Sequence, residues 1–80
     1  MYYVYVLRSL KDGSLYKGYT VDPKNRLNQH NKGKTKSTSS KIPWELIYYE
    51  ACIDLQAAIK REKYFKSAAG RKYLKNRGIG

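Results

Sequence analysis

Residues 1–9, MYYVYVLRS, alternate between two apolar faces. Tyr3, Tyr5 and Leu7 fall on one side and Tyr2, Val4 and Val6 on the other, which is the period of a strand. Aromatic and β-branched residues dominate the segment and suit a pleated surface. With both faces apolar, this strand is predicted to be central. Lys11-Asp12-Gly13 signals a turn, and residues 14–20 read as a second strand that closes a hairpin. Gly18 weakens that strand unless a backbone or a ligand approaches it closely.

Asp22-Pro23 starts a helix, with an acid at the N-cap and proline at the first helical position. The helix runs to about Lys32, where Gly33 suits its C-terminal end. Its apolar content is nearly only Leu27, so burial of apolar surface does not account for it. Residues 33–43, GKTKSTSSKIP, form a basic Ser/Thr-rich loop that is either mobile or grips phosphates. Trp44 to Ala51 is a third strand, bounded by Pro43. Asp54 caps the next helix, in which Leu55, Ala58, Ile59 and Phe65 recur at helical spacing. Ser67-Ala68-Ala69-Gly70 is predicted to interrupt it. A last helix follows from about Arg71 to Asn76, with a frayed tail to Gly80. The order ββα-β-αα is an α+β pattern with an antiparallel hairpin.

Length holds this to one small domain, residues 1–80, with a lean core. Charge changes the picture more. Lys and Arg number 17 against 6 Asp and Glu, a formal net charge of +11. That excess points to a polyanion as partner and argues against an uncharged small molecule as the main ligand. Cys52, the single cysteine, excludes an internal disulfide and a Cys-only metal cluster. It fits a reducing, intracellular compartment, so a cytoplasmic location is expected. The N-terminal stretch lacks the pattern of a signal peptide, and no apolar run is long enough to span a membrane. Nine tyrosines stand beside one Phe and one Trp. Strand packing explains most of them, but a phenol also stacks on bases and contacts phosphates.

Glu62 breaks its local rule. It lies three residues from Ile59 and from Phe65, on or at the edge of the apolar stripe. It is the only acid after Asp54, among Lys60, Arg61, Lys63 and Lys66. Taken alone, an ion pair with one of these accounts for it. The sharper reading is a ligand for a divalent cation that keeps its waters and shares a substrate phosphate. Arg26 and His30, four apart, share a face of the helix anchored by Leu27. A solvated basic face explains them, yet a fixed guanidinium beside a group titrating near neutrality also suits phosphate chemistry. Tyr5 and Tyr16 lie in adjacent strands of the hairpin. Convergence of all these groups would give them a meaning that none has singly.

These segments resemble the GIY-YIG nuclease superfamily, in its small stand-alone branch of UvrC-like or UPF0213 endonucleases. Tyr3-Val4-Tyr5 corresponds to the first motif, and Tyr16-Lys17-Gly18 to the second. Arg26-Leu27-Asn28-Gln29-His30 looks like the family's Arg-Leu-x-x-His helix, and Glu62 falls at its metal-binding glutamate. The match runs from Tyr2 to about Leu74. Tyr3 replaces the first motif's glycine, and Lys17 replaces an aliphatic residue of the second. The resemblance implies a three-stranded antiparallel sheet flanked by helices and metal-dependent hydrolysis of DNA phosphodiesters, in repair or recombination. Glu62 would hold Mg²⁺ or Mn²⁺. Arg26 would neutralise charge on the phosphorane. Tyr5 or Tyr16 would deprotonate or orient water, with its pKa depressed by the cationic cleft, and His30 would take or relay the proton. Lys17, Lys32, Lys34, Lys36, Lys63 and Lys66 would contact phosphates without choosing a sequence. With no separate recognition module, cleavage is expected to be weak, relaxed or structure-guided, or to depend on a targeting partner protein.

Two other classes compete. A nucleic-acid-binding module with little catalysis explains the charge and the tyrosines, but not Glu62. A binder of membrane surfaces requires basic helices with large apolar faces, and the Arg26 helix lacks one.

Overall fold

β1 (Tyr2–Ser9) is the middle strand of a three-stranded antiparallel sheet in the computed structural model, which describes residues 1–79. β2 (Leu15–Thr20) pairs with one edge of β1 and β3 (Trp44–Cys52) with the other. The central position follows from the two apolar faces of β1. Val4 and Val6 pack with Ala58, Phe65 and Leu74 beneath α2 (Leu55–Lys66) and α3 (Ala68–Asn76). Tyr5 and Leu7 pack on the opposite face with Trp44, Tyr16 and Leu27, beneath α1 (Pro23–Asn31). One strand therefore serves two cores. Among the described residues, no helix is long and apolar enough to cross a membrane.

The two predicted caps are present. Asp22 accepts the Asn25 N–H at 3.1 Å, and Asp54 accepts the Ala57 N–H at 2.8 Å. α1 docks with little apolar surface because it also buries polar groups that find partners. Besides Leu27, it buries His30 completely, at 0% exposure. The Asn31 amide also pairs with the Trp44 backbone, accepting at 2.6 Å and donating at 3.0 Å. Polar bonds made in a dry place substitute for the missing apolar stripe.

Two expectations are corrected. The break after α2 falls where expected but is confined to Ser67, and the last helix starts at Ala68 rather than Arg71. Ser67 caps α3 by accepting the Gly70 N–H at 3.1 Å, so Ala68, Ala69 and Gly70 are helical. Gly70 marks a close crossing, because a Cβ there would overlap the Tyr64 carbonyl of α2. The 33–43 loop is ordered by internal contacts. Thr38 is buried, its carbonyl accepts the Trp44 indole N–H at 3.0 Å, and the Lys41 carbonyl accepts the Ser9 hydroxyl at 2.7 Å. Buried polar groups that find partners hold the chain in place.

Candidate active site

Tyr5 sits opposite Gly18 across the β1–β2 ladder. A Cβ at position 18 would lie 2.7 Å from the Tyr5 hydroxyl oxygen and 2.9 Å from Cζ. The glycine is therefore there to admit a phenol, not a ligand or another backbone. Leu7 pairs with Tyr16, which places Tyr16 on the same face one step along. The Tyr5 and Tyr16 rings lie 6.3 Å apart.

A cleft of about 560 Å³ opens along this part of β2, between α1 and α2. Tyr5, Tyr16, Gly18, Arg26 and Glu62 all line it. Four chemically useful side chains from four elements thus share one concave surface. Arg26 is held by its neighbour one turn on, donating from Nη1 to Gln29 Oε1 at 2.8 Å. The Glu62 side chain is 18% exposed and lies 3.4 Å from Lys66 Nζ. That i,i+4 pair is the ordinary salt link expected of an acid among lysines. It coexists with placement in the cleft, because the Lys66 side chain is itself 53% exposed and reaches Glu62 from the surface.

His30 stands behind this surface and is absent from the cleft wall. Its Nε2 lies 3.0 Å from the Tyr5 hydroxyl and its Nδ1 lies 2.8 Å from Thr38 Oγ1. The Thr38 hydroxyl spends its own proton on the Thr35 carbonyl at 3.2 Å. Thr38 must then accept from His30 Nδ1–H, which leaves Nε2 bare to accept from the Tyr5 hydroxyl. Burial, then the nearby Arg26 charge, hold His30 below its ordinary value, so it is neutral near pH 7. Burial pushes the Tyr5 phenol up, and Arg26 opposes this only in part. The expected depression of the phenol is thereby corrected for Tyr5. The Arg26 charge does not outweigh the loss of water around a ring that is 1% exposed.

A pH dependence follows from the buried imidazole. A histidine whose folded pKa is depressed contributes stability that is complete above its ordinary value near 6.5 and is lost as pH falls through the folded pKa. Thermal unfolding is therefore expected at lower temperature at pH 5 than at pH 7.5. The His30→Gln variant should show a flatter profile over that window, and equal slopes would contradict the assignment.

A family model described as the GIY-YIG catalytic domain matches residues 1–75. The chain belongs to the GIY-YIG family. Relatives agree. A UPF0213 protein of Streptococcus agalactiae serotype V is 49% identical over 65 residues, spanning 80% of this chain and 73% of that one. A UPF0213 protein of Pediococcus pentosaceus is 40% identical over 82 residues, spanning 98% of this chain and 85% of that one. The solution NMR structure of a UPF0213 protein from Bacillus halodurans superposes with a TM-score of 0.57 at 34% identity, covering 100% of this chain and 88% of the other. The three-stranded sheet with its flanking helices is thus the GIY-YIG fold, and the domain is one of a nuclease family.

GIY-YIG nucleases as a family use divalent metal ions. Among the described residues no group of three or more His, Cys, Asp or Glu side chains gathers to form a closed cage. The donor set fits a different kind of site. One half-buried carboxylate in an open cleft suits an ion that keeps several waters and completes its shell with phosphate oxygens.

Gln29 and Thr38 were missed from the sequence. Gln29 had a local signal, since it lies one helical turn from Arg26. Thr38 had none, because its partner is reached only through the folded loop. Lys17 lies away from the cleft, in a pocket with Arg71 and Lys75. Strand alternation turns it to the face opposite Tyr16, against Leu15, Leu74 and Ile79. Burial, with Arg71 and Lys66 nearby, weakens its hold on its proton. Lys32, Lys34, Lys36, Lys63 and Lys66 are exposed, and none of them lines the cleft itself.

Proposed function

We propose that this GIY-YIG domain is a metal-dependent endonuclease that hydrolyses DNA phosphodiester bonds with little sequence choice, in repair or recombination. The observation that carries the reading is the sharing of one cleft by Tyr5, Tyr16, Arg26 and Glu62. The whole described chain acts as one unit, since both cores are built on β1. A module that only bound DNA would gain nothing from a half-buried acid on a helix otherwise charged by Lys60, Arg61, Lys63 and Lys66.

Glu62 would hold Mg²⁺ or Mn²⁺. Such an ion, when bound, supplies Lewis-acid stabilisation of charge on the phosphate and its leaving group. The Arg26 guanidinium, fixed by Gln29, faces the same space and neutralises charge that grows on the phosphate oxygens. Tyr5 is not a phenolate base, since burial raises its pKa. Its hydroxyl instead passes its proton to His30 Nε2 while its oxygen takes one from the attacking water. Water loses a proton, Tyr5 stays neutral and His30 becomes the cation. A buried imidazole beside Arg26 holds that proton weakly and releases it again. Tyr16, less buried than Tyr5, orients the water or a phosphate oxygen. His30 is thus a relay behind Tyr5, not a group in contact with DNA.

The exposed Lys32, Lys34, Lys36 and Lys63, together with Lys66 beside its Glu62 partner, contact phosphates on either side of the cut, giving affinity that falls with salt. Lys17, Arg71 and Lys66 form a cationic cluster beside β2. Targeting to particular DNA structures, or by a partner protein, is left to features outside the reacting centre.

Incubation of the purified protein with labelled duplex, nicked, flapped and single-stranded DNA, with and without Mg²⁺ or Mn²⁺, tests the reading. Cleavage is expected only with metal. No product from any of these substrates would remove it. Tyr5→Phe keeps the ring and breaks the relay, so activity should fall by about 10²-fold, within the usual range for a general acid–base group. A fully active Tyr5→Phe would take Tyr5 out of the chemistry.

A further inference from the structure

The sheet face that carries Tyr5 continues beyond the start of α1. Tyr5 pairs with Tyr49 on β3, and Tyr3 pairs with Thr20 on β2, so Tyr3, Tyr5 and Tyr49 share that face. α1 covers Tyr5 but leaves Tyr49 58% exposed. The Tyr3 and Tyr49 rings meet edge-to-face, with centroids 6.0 Å apart at 66°, which braces the Tyr49 ring while more than half of it stays exposed. A shallow groove of about 350 Å³ surrounds the pair, walled by Leu46, Val21, Asp22 and Lys24. Val21 and Asp22 also line the cleft that holds Tyr5 and Glu62, so the groove adjoins the cleft at these two residues. Val21 and Ile53, exposed by 66% and 84%, lie at this same end of the sheet.

We propose that Tyr49, braced by Tyr3, is a stacking platform for an unpaired nucleobase of the DNA strand that enters the cleft. This rests on the nuclease reading for the strand's presence there, and it adds the substrate class. An aromatic ring on a strongly cationic domain has the two parts of a single-strand binding surface, a π-face for the base and positive charge for the backbone. Net charge decides between occupants. At +11, a second copy is repelled by this domain and a polyanion is attracted. Lys24 stands at the groove to meet a phosphate, while the Asp22 carboxylate is engaged by the first turn of α1. Bases inside a duplex present no free face. The platform therefore selects DNA with an unpaired stretch beside the cut, as in a flap, a fork or a bubble.

Binding is measured by fluorescence anisotropy in EDTA, so that no cleavage is needed. The probes are a blunt duplex and the same duplex carrying a short single-stranded thymidine extension. The wild-type protein should bind the extended DNA more tightly. Tyr49→Ala should lose about 5- to 150-fold on the extended DNA, the range for one base–aromatic stack. Its binding and cleavage of the blunt duplex should be unchanged, and Tyr49→Phe should behave as wild type. A 5-iododeoxyuridine in the extension should photo-cross-link to the peptide containing Tyr49. Equal losses on both DNAs, or cross-linking only elsewhere, would overturn the platform. So would a dimer in sedimentation velocity that Tyr49→Ala dissolves, because the patch would then belong to a second copy. Tyr49-dependent binding in a protein that never cuts DNA would keep the platform and remove the nuclease reading.

Discussion

Glu62→Gln is expected to lower metal-dependent cleavage by about 10³-fold or more while leaving DNA affinity intact or raised. Removing the group that seats a Lewis acid costs several kcal/mol of transition-state stabilisation, and each 1.36 kcal/mol is a factor of about ten. The same change deletes a negative charge from a surface that meets phosphates, so binding does not suffer. Misfolding does not offer another explanation. The amide keeps the shape of the carboxylate, and the pair lost with Lys66 is an i,i+4 link to a half-exposed lysine, a type that contributes about 0.5 kcal/mol or less. Single-turnover cleavage and anisotropy on one labelled DNA check both halves of this expectation. Cleavage equal to the parent would take Glu62 out of the metal site.

Arg26→Ala is expected to reduce kcat by about 10²- to 10³-fold, the usual effect of deleting one preorganised charge donor, with less than about a tenfold change in affinity. The asymmetry follows from where Arg26 sits. It faces the cleft and is steadied by Gln29, whereas general affinity is spread over many exposed lysines. Arg26→Lys should rescue little, because a single ammonium does not reproduce the planar fork. Equal losses in turnover and affinity would mark Arg26 as an ordinary phosphate contact.

Local signals carried the frame of the fold into the sequence. Asp22 and Asp54 announce helix starts because a capping carboxylate acts on an N–H three residues away. The two-faced apolar pattern of β1 implies a strand covered on both sides. Gly70 misleads for the opposite reason. It reads as a breaker, while its real function is to let α3 cross α2, and nothing nearby in the chain reports that crossing.

The candidate site divides the same way. Glu62 is visible as an acid where the stripe is apolar, and Arg26 and His30 as a pair on a helix that has little else to bury. That His30 lies behind Tyr5 is not visible, because the depth of a helical side chain depends on how closely the helix docks. The direction of the Tyr5 shift is hidden for a related reason. Counting nearby cations suggests a lowered phenol, but burial by α1 decides the sign. Thr38 sits in a loop without periodicity, so its control of the His30 tautomer emerges only when the loop closes.

Mn²⁺ titrated into the complex of the slow Arg26→Ala protein with uncut DNA, followed by electron paramagnetic resonance, interrogates the Glu62 site without relying on turnover. One tightly bound ion per complex is predicted, and the Arg26→Ala/Glu62→Gln double variant should lose it. The same tight binding in both proteins would show that Glu62 seats no metal and that the shared cleft is only a basic surface for DNA.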